Sequence, residues 1–490
     1  MGRWNDHGGW AKGPYLQLIV CGWLMGGLYN TLGAGLNTIM SQQRGIAVTG
    51  HNIANANTDG FHRQEVKVKS LSNTTYGIQV DTVRRASDQF LQRQVFSHES
   101  EYGEARARSE GLERIESVIA DTEDQSLTAT LDDYFAAWQE LVVFADKKSQ
   151  REEVVSATKL LVNSVHRNAS ALQVAQDDAN DDIATTIDEI NTLINNISDY
   201  NKQVTEAESY GYEANELRDH RDQASKELSR LTGAKSRLDE DGFLNVTIGG
   251  GVHLVLREQK TNLKTVRMDT DGDGTPDSEF YEVHTDQDSI SLDVDNLLKG
   301  ELGGLVTLRD GDIADRISEL DEFAYDLVNA TNTIHAANYS TTGTTGQNFF
   351  TALTEQTGAA TDLEIDAAIL ADVMLIAAAD LATAEAGDGQ GAQEMANLMD
   401  AKVATSNTKT LHESANDFQT NFLFSMRDAR KAEEAAESRL NAMEEVMESH
   451  FGVSIEEEMM MLSRYQRAFQ SSSKVLSVVD ELLNTVINLK

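Results

Sequence analysis

Apolar residues recur at every seventh position near both ends of the chain. From Met25, the positions Leu32, Ile39, Ile46 and Ile53 form one stripe, with Leu28 and Leu36 beside it. Near the C-terminus Ile455, Leu462, Phe469, Leu476 and Leu483 form a second, with Tyr465, Val479 and Val486 at the offset positions. A seven-residue apolar repeat is the pattern of a helix that supercoils with a partner. The C-terminal stripe predicts a helix roughly 50 Å long at 1.5 Å per residue. The N-terminal stripe carries Gly33, Gly35, Gly45 and Gly50, each of which weakens a helix by up to ~1 kcal/mol relative to alanine. It is therefore expected to order only against a partner, and the C-terminal stripe is the natural mate.

Between the stripes the period changes several times. Asn57-Thr58-Asp59-Gly60 is a turn signal, because these residues tolerate turn backbone angles. Val66-Lys67-Val68 and Tyr76 to Val80 alternate as short strands do. From about Asp88 to Thr232 the chain is polar and helically periodic, as in an antiparallel bundle. Phe243–Ile248 and Val252–Leu256, separated by three glycines, read as strands. Helix returns over about 313–335 and again from Asp417, while 340–392 is rich in Thr, Ala and Gly and has no clear period. The fold class predicted is mainly α with an inserted β domain. It comprises paired terminal coiled-coil helices, a helical-bundle body and a small β-rich outer part. The expected boundaries are an N-terminal extension over 1–24, an assembly segment over 25–60, and a helical body with short strands over 61–233. A β-rich insert over 234–300, a helical return over 301–345 and an irregular or β segment over 346–412 follow. More helical body over 413–454 leads to the assembly helix over 455–490. Residues 1–24 read as an upstream extension, with Met25 the expected natural start.

Charge sharpens this division. The chain of 490 residues carries 80 acidic against 41 basic residues, a formal charge of −39. Such a surface repels nucleic acid and anionic membranes, so neither is an expected partner. Yet between Met25 and Gly60 the only charged side chains are Arg44 and Asp59, and from Ile455 onward five acids face four bases. The termini are thus apolar and charge-poor, as segments buried in an assembly are. Two prolines permit long helices. A single cysteine, Cys21, rules out an intrachain disulfide. No run reaches the ~20 apolar residues of a membrane span, and Leu16 to Met25 lacks the flanks and cleavage site of a signal peptide.

The run Asn52-Ile53-Ala54-Asn55-Ala56-Asn57-Thr58-Asp59-Gly60-Phe61 resembles the N-terminal motif of the bacterial flagellar rod, hook and hook-associated proteins. Arg63-Gln64 narrows the resemblance toward the hook-associated members. Leu131–Leu141, Asn215–Gln223, Gly300–Leu305 with Arg309-Asp310, the stretch from Asn329 to Phe350, and Arg464–Gln470 are similar to later segments of that family. Asp59 stands where the family usually has proline, and Phe61 where tyrosine is common. The resemblance implies a structural subunit, not an enzyme, exported unfolded by the flagellar type III apparatus without a cleaved signal peptide. It implies an extracellular position at the hook–filament junction in a closed ring of about eleven copies. The implied neighbours are the hook protein on one side and hook-associated protein 3 on the other, and an export chaperone on the C-terminal segment. Within the same class the rival reading is a hook or distal rod protein, against which Arg63-Gln64 and the long helical middle argue.

Asp269, Asp271, Asp273 and Asp277 fall at positions 1, 3, 5 and 9 of a calcium loop, with Gly274 at the sharp-turn position. Phe280 stands at the twelfth position, where a bidentate acid is expected. The alternative is an acidic hairpin tip in an acidic chain. A secreted calcium-dependent adhesin is the function that the first reading would serve. Calorimetry with calcium separates the two, since an Asp271→Ala, Asp273→Ala variant abolishes the heat only if the loop is a site. His51 and His62 read as ordinary polar residues near a turn rather than a metal pair. Asn52, Asn55 and Asn57 read as capping and backbone-bonding groups. No nucleophile motif, phosphate loop or spaced Cys/His set is present, so a secreted hydrolase has no catalytic constellation to rest on. No cofactor other than calcium is expected.

Overall fold

A computed structural model describes residues 14–58, 60–70, 78–119, 126–210, 213–269, 278–287, 291–292, 298–383 and 387–488. Helix α1 (Pro14–Ala54) runs without a break through Met25 and ends where the Asn-rich turn begins. A hairpin of β1 (Gln64–Ser70) and β2 (Ile78–Arg85) follows, antiparallel with a bulge between Lys67 and Val68. Then come α2 (Gln89–Ile119), α3 (Leu127–Val143), α4 (Lys148–Ser209) and α5 (Asn215–Thr232). At 62 residues α4 is about 90 Å long. It is the spine of the molecule.

The β insert follows α5. Strands β3 (Lys235–Leu238), β4 (Leu244–Thr247), β5 (His253–Leu256) and β6 (Gln259–Lys260) form one antiparallel sheet in sequence order. Strands β7 (Leu263–Arg267), β8 (Tyr281–Thr285) and β9 (Ser291–Leu292) form a second. Helix α6 (Gly300–Thr307) passes through a π-helical turn at Leu308–Ile313 into α7 (Ala314–Ala337). Short helices α8 (Ala367–Ala371) and α9 (Gln390–Asn397) interrupt an irregular stretch before α10 (Leu411–Phe451) and α11 (Ile455–Ile487). The molecule is thus mainly α with an inserted β domain and long terminal helices.

Two cores share the spine. The first half of α4 contributes Val154, Leu161, Val165 and Leu172 to a core with Tyr134, Trp138, Phe323, Phe349, Phe350, Phe418 and Phe422. The second half presents Ile183, Ile187, Ile190, Ile194 and Ile197, alternately four and three residues apart on one helix face, to the strands. Side-chain amides fix the register of the insert on that face. Asn191 both donates to Leu263 O and accepts from Leu263 N, each at 2.8 Å. Asn201 does the same for Leu244, at 2.9 Å each way, and donates again to Arg257 O at 2.7 Å. Asn180 accepts from Tyr281 N at 2.9 Å. Each amide satisfies backbone groups that the ladder leaves open, on edge strand β7 at Leu263 and at the starts of inner strands β4 and β8, so the insert is pinned rather than merely tethered. Arg309, buried in the π turn, adds bonds of 2.8 Å to Asn180 Oδ1 and to Tyr281 O.

The irregular stretch is ordered by long-range partners. Asn332 Oδ1 accepts from Phe349 N and Phe350 N, both at 2.9 Å. Buried His335 accepts from Ala377 N on Nε2 at 2.9 Å, so its proton sits on Nδ1 and is donated to Gln347 O at 2.8 Å. Burial pushes the His335 pKa down; the Gln347 carbonyl and Asp366 resist that shift and Arg151 adds to it. Among the described residues Arg151 is bonded only to carbonyls, of Ala145 and Ile376, and burial brings it down to about 10. Below the ordinary histidine value of about 6.5 the unfolded chain takes up a proton that folded His335 refuses. This site's stability is therefore present above that pH and lost as pH falls toward the lower folded value, by at most ~1.4 kcal/mol per pH unit. A His335→Gln variant is expected to lose that component. Urea unfolding of both proteins at pH 5 and 7.5 checks it, and equal pH slopes would contradict it.

The strands expected at Phe243–Ile248 and Val252–Leu256 are β4 and β5. Among the expected calcium-loop residues only Asp269 is described; Asp271, Asp273 and Asp277 lie outside the described residues. The loop joins β7 to β8, which pair from Leu263–Thr285 to Arg267–Tyr281. No described helix is long and apolar enough to cross a membrane.

Candidate assembly site: the paired helices and their joint

Helices α1 and α11 pack along one another, so the two ends of the chain meet as the stripes imply. The seam differs from the one expected. Leu32, Ile39, Ile46 and Ile53 are only half-buried, whereas Thr49 and Asn52, roughly 60–100° round the helix, and Ser41 and Val48, nearly opposite, are buried. The reason is close approach. A Cβ on Gly45 would lie 2.8 Å from the Tyr465 ring, and one on Gly35 2.9 Å from Leu476 Cδ1. The glycines that weaken α1 in isolation are the holes that receive the side chains of α11. On α11, Leu462, Phe469 and Leu476 are half-buried and Leu483 and Val479 are buried, while Ile455 at the helix start is 42% exposed. Both helices keep apolar residues in solvent: Met40 is 57% exposed and Val475 51%, with Leu36, Val478 and Leu482 similar.

Where α1 ends, the Asn-rich motif becomes a joint. Asn55 N and its side-chain amide both donate to His51 O, at 3.1 and 3.0 Å, and close the last turn. Gly60 then adopts φ +73, a left-handed angle that glycine takes without strain. Thr58 N and Phe61 N continue the turn by donating to Asn55 O and Thr58 O. Ala54 and Asn57 point to the outside of the turn; Asp59 is not among the described residues. Phe61 packs edge-on to the His51 ring at 5.4 Å.

Asn52, 1% exposed, holds three chain segments together. Its amide donates to Gln64 O at 2.9 Å and to Glu458 Oε2 at 3.1 Å, and its oxygen accepts from Gln64 N at 3.0 Å. Arg63 Nε donates to Glu458 Oε1 at 2.7 Å, and Arg63 N to Phe451 O at 3.1 Å. Glu458 is 3% exposed and lies in the first turn of α11, where the helix dipole favours a negative charge. The start of α11, the end of α1, the start of β1 and the end of α10 thus converge on one carboxylate and one amide.

A second polar knot lies behind the first. His62 Nδ1 is 3.0 Å from Asp219, which also accepts from Arg85 at 2.8 Å, and Arg85 bonds Asp222 as well. Burial opposes the Arg85 charge, and Asp222 and Asp219 more than offset it, so its pKa is raised. Lys226 pairs with Glu99 at 3.0 Å and with Glu444. A cleft of about 500 Å³ opens here between Phe61, Phe96, Met447 and Phe451. Two cations, Arg85 and Lys226, thus hold four carboxylates, and burial raises the Glu99 pKa; the contacts join chain segments to each other. No group of three potential metal ligands occurs among the described residues.

The motif residues Asn52, Asn55, Gly60, Phe61, Arg63 and Gln64 therefore meet at one joint. Glu458, Asp219 and Arg85 join it from distant parts of the chain that no sequence pattern ties to the motif. Three acids in a row at Glu456–Glu458 signal a helix start, but nothing local marks which one turns inward.

Comparison with known proteins agrees along the chain. The family model "Flagellar hook-associated protein FlgK helical domain" matches residues 112–350. "Flagella basal body rod protein" matches 32–62, and "Flagellar basal body rod FlgEFG protein C-terminal" matches 449–489. The flagellar hook-associated protein 1 of Bacillus subtilis is 24% identical over 493 residues, covering 92% of this chain and 96% of that one. That of Escherichia coli is 27% identical over 336 residues, covering 66% of this chain and 60% of its own. The solved structure of the flagellar hook junction protein FlgK from Burkholderia pseudomallei aligns with a TM-score of 0.64 at 13% identity. That alignment covers 75% of this chain and 100% of that one, a likeness of fold.

Proposed function

This chain belongs with the flagellar hook-associated proteins, structural components of the bacterial flagellum, and on that premise we propose that it forms the junction between hook and filament. It leaves the cell through the flagellar type III apparatus and takes its place outside the cell in a ring of about eleven copies. Its neighbours are the hook protein and hook-associated protein 3, and an export chaperone holds the C-terminal segment beforehand. The role is mechanical rather than catalytic.

The observation that carries this reading is the incompletely covered helix pair. The α1–α11 seam buries small residues of α1, while Leu36, Met40, Val475, Val478 and Leu482 stay exposed around it. Covering such residues with a neighbour yields ~25 cal/mol per Å² of apolar area, a gain available only in the assembly. Cells lacking the chain are expected to build hooks and shed filament subunits into the medium. Immunoblots of cell-free medium measure this, and filaments of normal number and length in that strain would refute the junction role.

A further inference from the structure

The two cores meet at a waist that packs few large side chains. On α4 the inward positions between Leu172 and Ile183 hold Ala175, Gln176, Ala179 and Asn180. On α10 only Ala429 and Ala436 are buried between Met426 and Leu440. On α2, Gly111 leaves a gap that Leu308 fills so closely that no Cβ would fit there. Leu308 also opens the π turn, so the helix running from α6 into α7 changes its winding at this same level. A π turn closes its bonds over five residues rather than four, and Gly311 within it adds backbone freedom.

The spine also works against itself here. Asp177 and Asp181, and likewise Asp178 and Asp182, stand four residues apart on α4, where like charges destabilise a helix. The spine's bonds to the π turn are polar: Gln176 donates to Arg309 O at 3.0 Å, and Arg309 donates to Asn180 Oδ1 at 2.8 Å. Beside this contact a groove of about 520 Å³ opens between rims on α2 and α4, lined in its depth by buried Ala107, Ala179, Leu305 and Leu308. Among the described residues one ion pair, Arg114 to Asp182 at 2.9 Å, straps the rims, with 54% and 42% of the two side chains exposed. Further along, Arg106 turns back to Glu110 of its own helix at 2.7 Å, and Glu189 on the α4 rim makes no ion pair among the described residues.

We infer that this waist is a hinge. The half of the body around the first core tilts against the half that carries the second core and the joint, and the α2–α4 groove opens and closes with the tilt. The motion meets little resistance. Small buried residues lose few contacts as the helices shift, an exposed ion pair holds weakly, and closing the groove offers Arg106 a second partner in Glu189. In a ring, the hinge lets each copy take its own tilt while its joint stays intact; that use rests on the junction reading above, whereas the bending does not.

The test uses the purified full chain carrying Cys21→Ser, which removes its only native cysteine. Spin labels at Glu113→Cys on α2 and Thr185→Cys on α4, both exposed positions, report the separation of the two helices by double electron–electron resonance. Two distance populations are expected, about 4 Å apart, because a bend of about 20° acts across roughly one helix diameter. Arg114→Ala is expected to raise the wider population up to about fivefold. Salt at about 1 M is expected to do the same in the parent and to add little in that variant. Gly311→Ala sets its Cβ no nearer than 4.0 Å, to Thr307 Cγ2. By removing backbone freedom it is expected to lower the wider population about two- to fivefold. One narrow population that salt and both variants leave unmoved overturns the hinge. That result leaves the junction reading standing, and normal filaments in the strain lacking the chain overturn that reading without touching the hinge.

Discussion

Alanine at Glu458 is expected to unlock α11 from the joint while leaving the body folded. The carboxylate is almost wholly buried and takes donors from Arg63 at 2.7 Å and from Asn52 at 3.1 Å. Its removal leaves Arg63 with only the longer contact to Glu457 at 3.7 Å and frees one of the two Asn52 amide hydrogens, the other staying on Gln64 O. Breaking a fully buried ion pair costs about 3–5 kcal/mol. Arg63 keeps a quarter of its side chain in water, which lowers the expected cost to about 2–3 kcal/mol. Amide exchange at Gln64 is then expected to quicken about 30- to 150-fold, because Asn52 Oδ1 is its acceptor and Asn52 loses its bond to Glu458. Limited proteolysis is expected to open first between Phe451 and Glu458. Glu458→Gln, which keeps the shape and one acceptor, is expected to fall between. Unchanged exchange at Gln64 in the alanine variant would show that the carboxylate does not hold the joint.

Deleting residues 455–490 is expected to abolish assembly and leave a folded protein. Both large cores lie between Ala107 and Ala429, and neither takes a residue from α1 or α11. The truncated chain is therefore expected to unfold within a few degrees of the parent, since neither core loses a contact. Its loss of helical signal is expected to be confined to α11 and the α1 segment that α11 supports, because α1 alone carries the cost of its glycines. Circular dichroism and thermal scans measure both quantities. Collapse of the whole helical signal would contradict a separable pair of ends, and incorporation of the truncated chain into flagella would contradict their role in assembly.

What was legible in the sequence was periodic. Ile183 to Ile197 lie on one helix face and do line a core; the strands flanking Gly249–Gly251 are strands; the terminal helices that carry the stripes do pack together. What was not legible depended on contacts distant in sequence. Asn52 and Glu458 are 406 positions apart, and each looks ordinary beside its own neighbours. Gly35 and Gly45 read locally as helix breakers, and only the approach of Leu476 and Tyr465 shows them as the centre of the seam. The apolar stripe of α1 was correctly placed on a helix, yet it flanks that seam instead of filling it. The stretch after Ser340 had no period because its backbone is held by single side chains, Asn332 and His335, rather than by a repeating ladder. Asn180, Asn191 and Asn201 likewise carry no local signal, since an amide that bonds a strand's backbone is indistinguishable in sequence from one facing water.

The central claim is that this chain occupies the boundary between hook and filament through its paired ends. Immunogold electron microscopy of intact flagella, alongside the strain lacking the chain, tests it most directly. The account predicts label confined to a narrow band at the distal end of the hook, and bare hooks without filaments in the deletion strain. Label spread along the hook, the rod or the filament, or filaments still attached in the deletion strain, would contradict it.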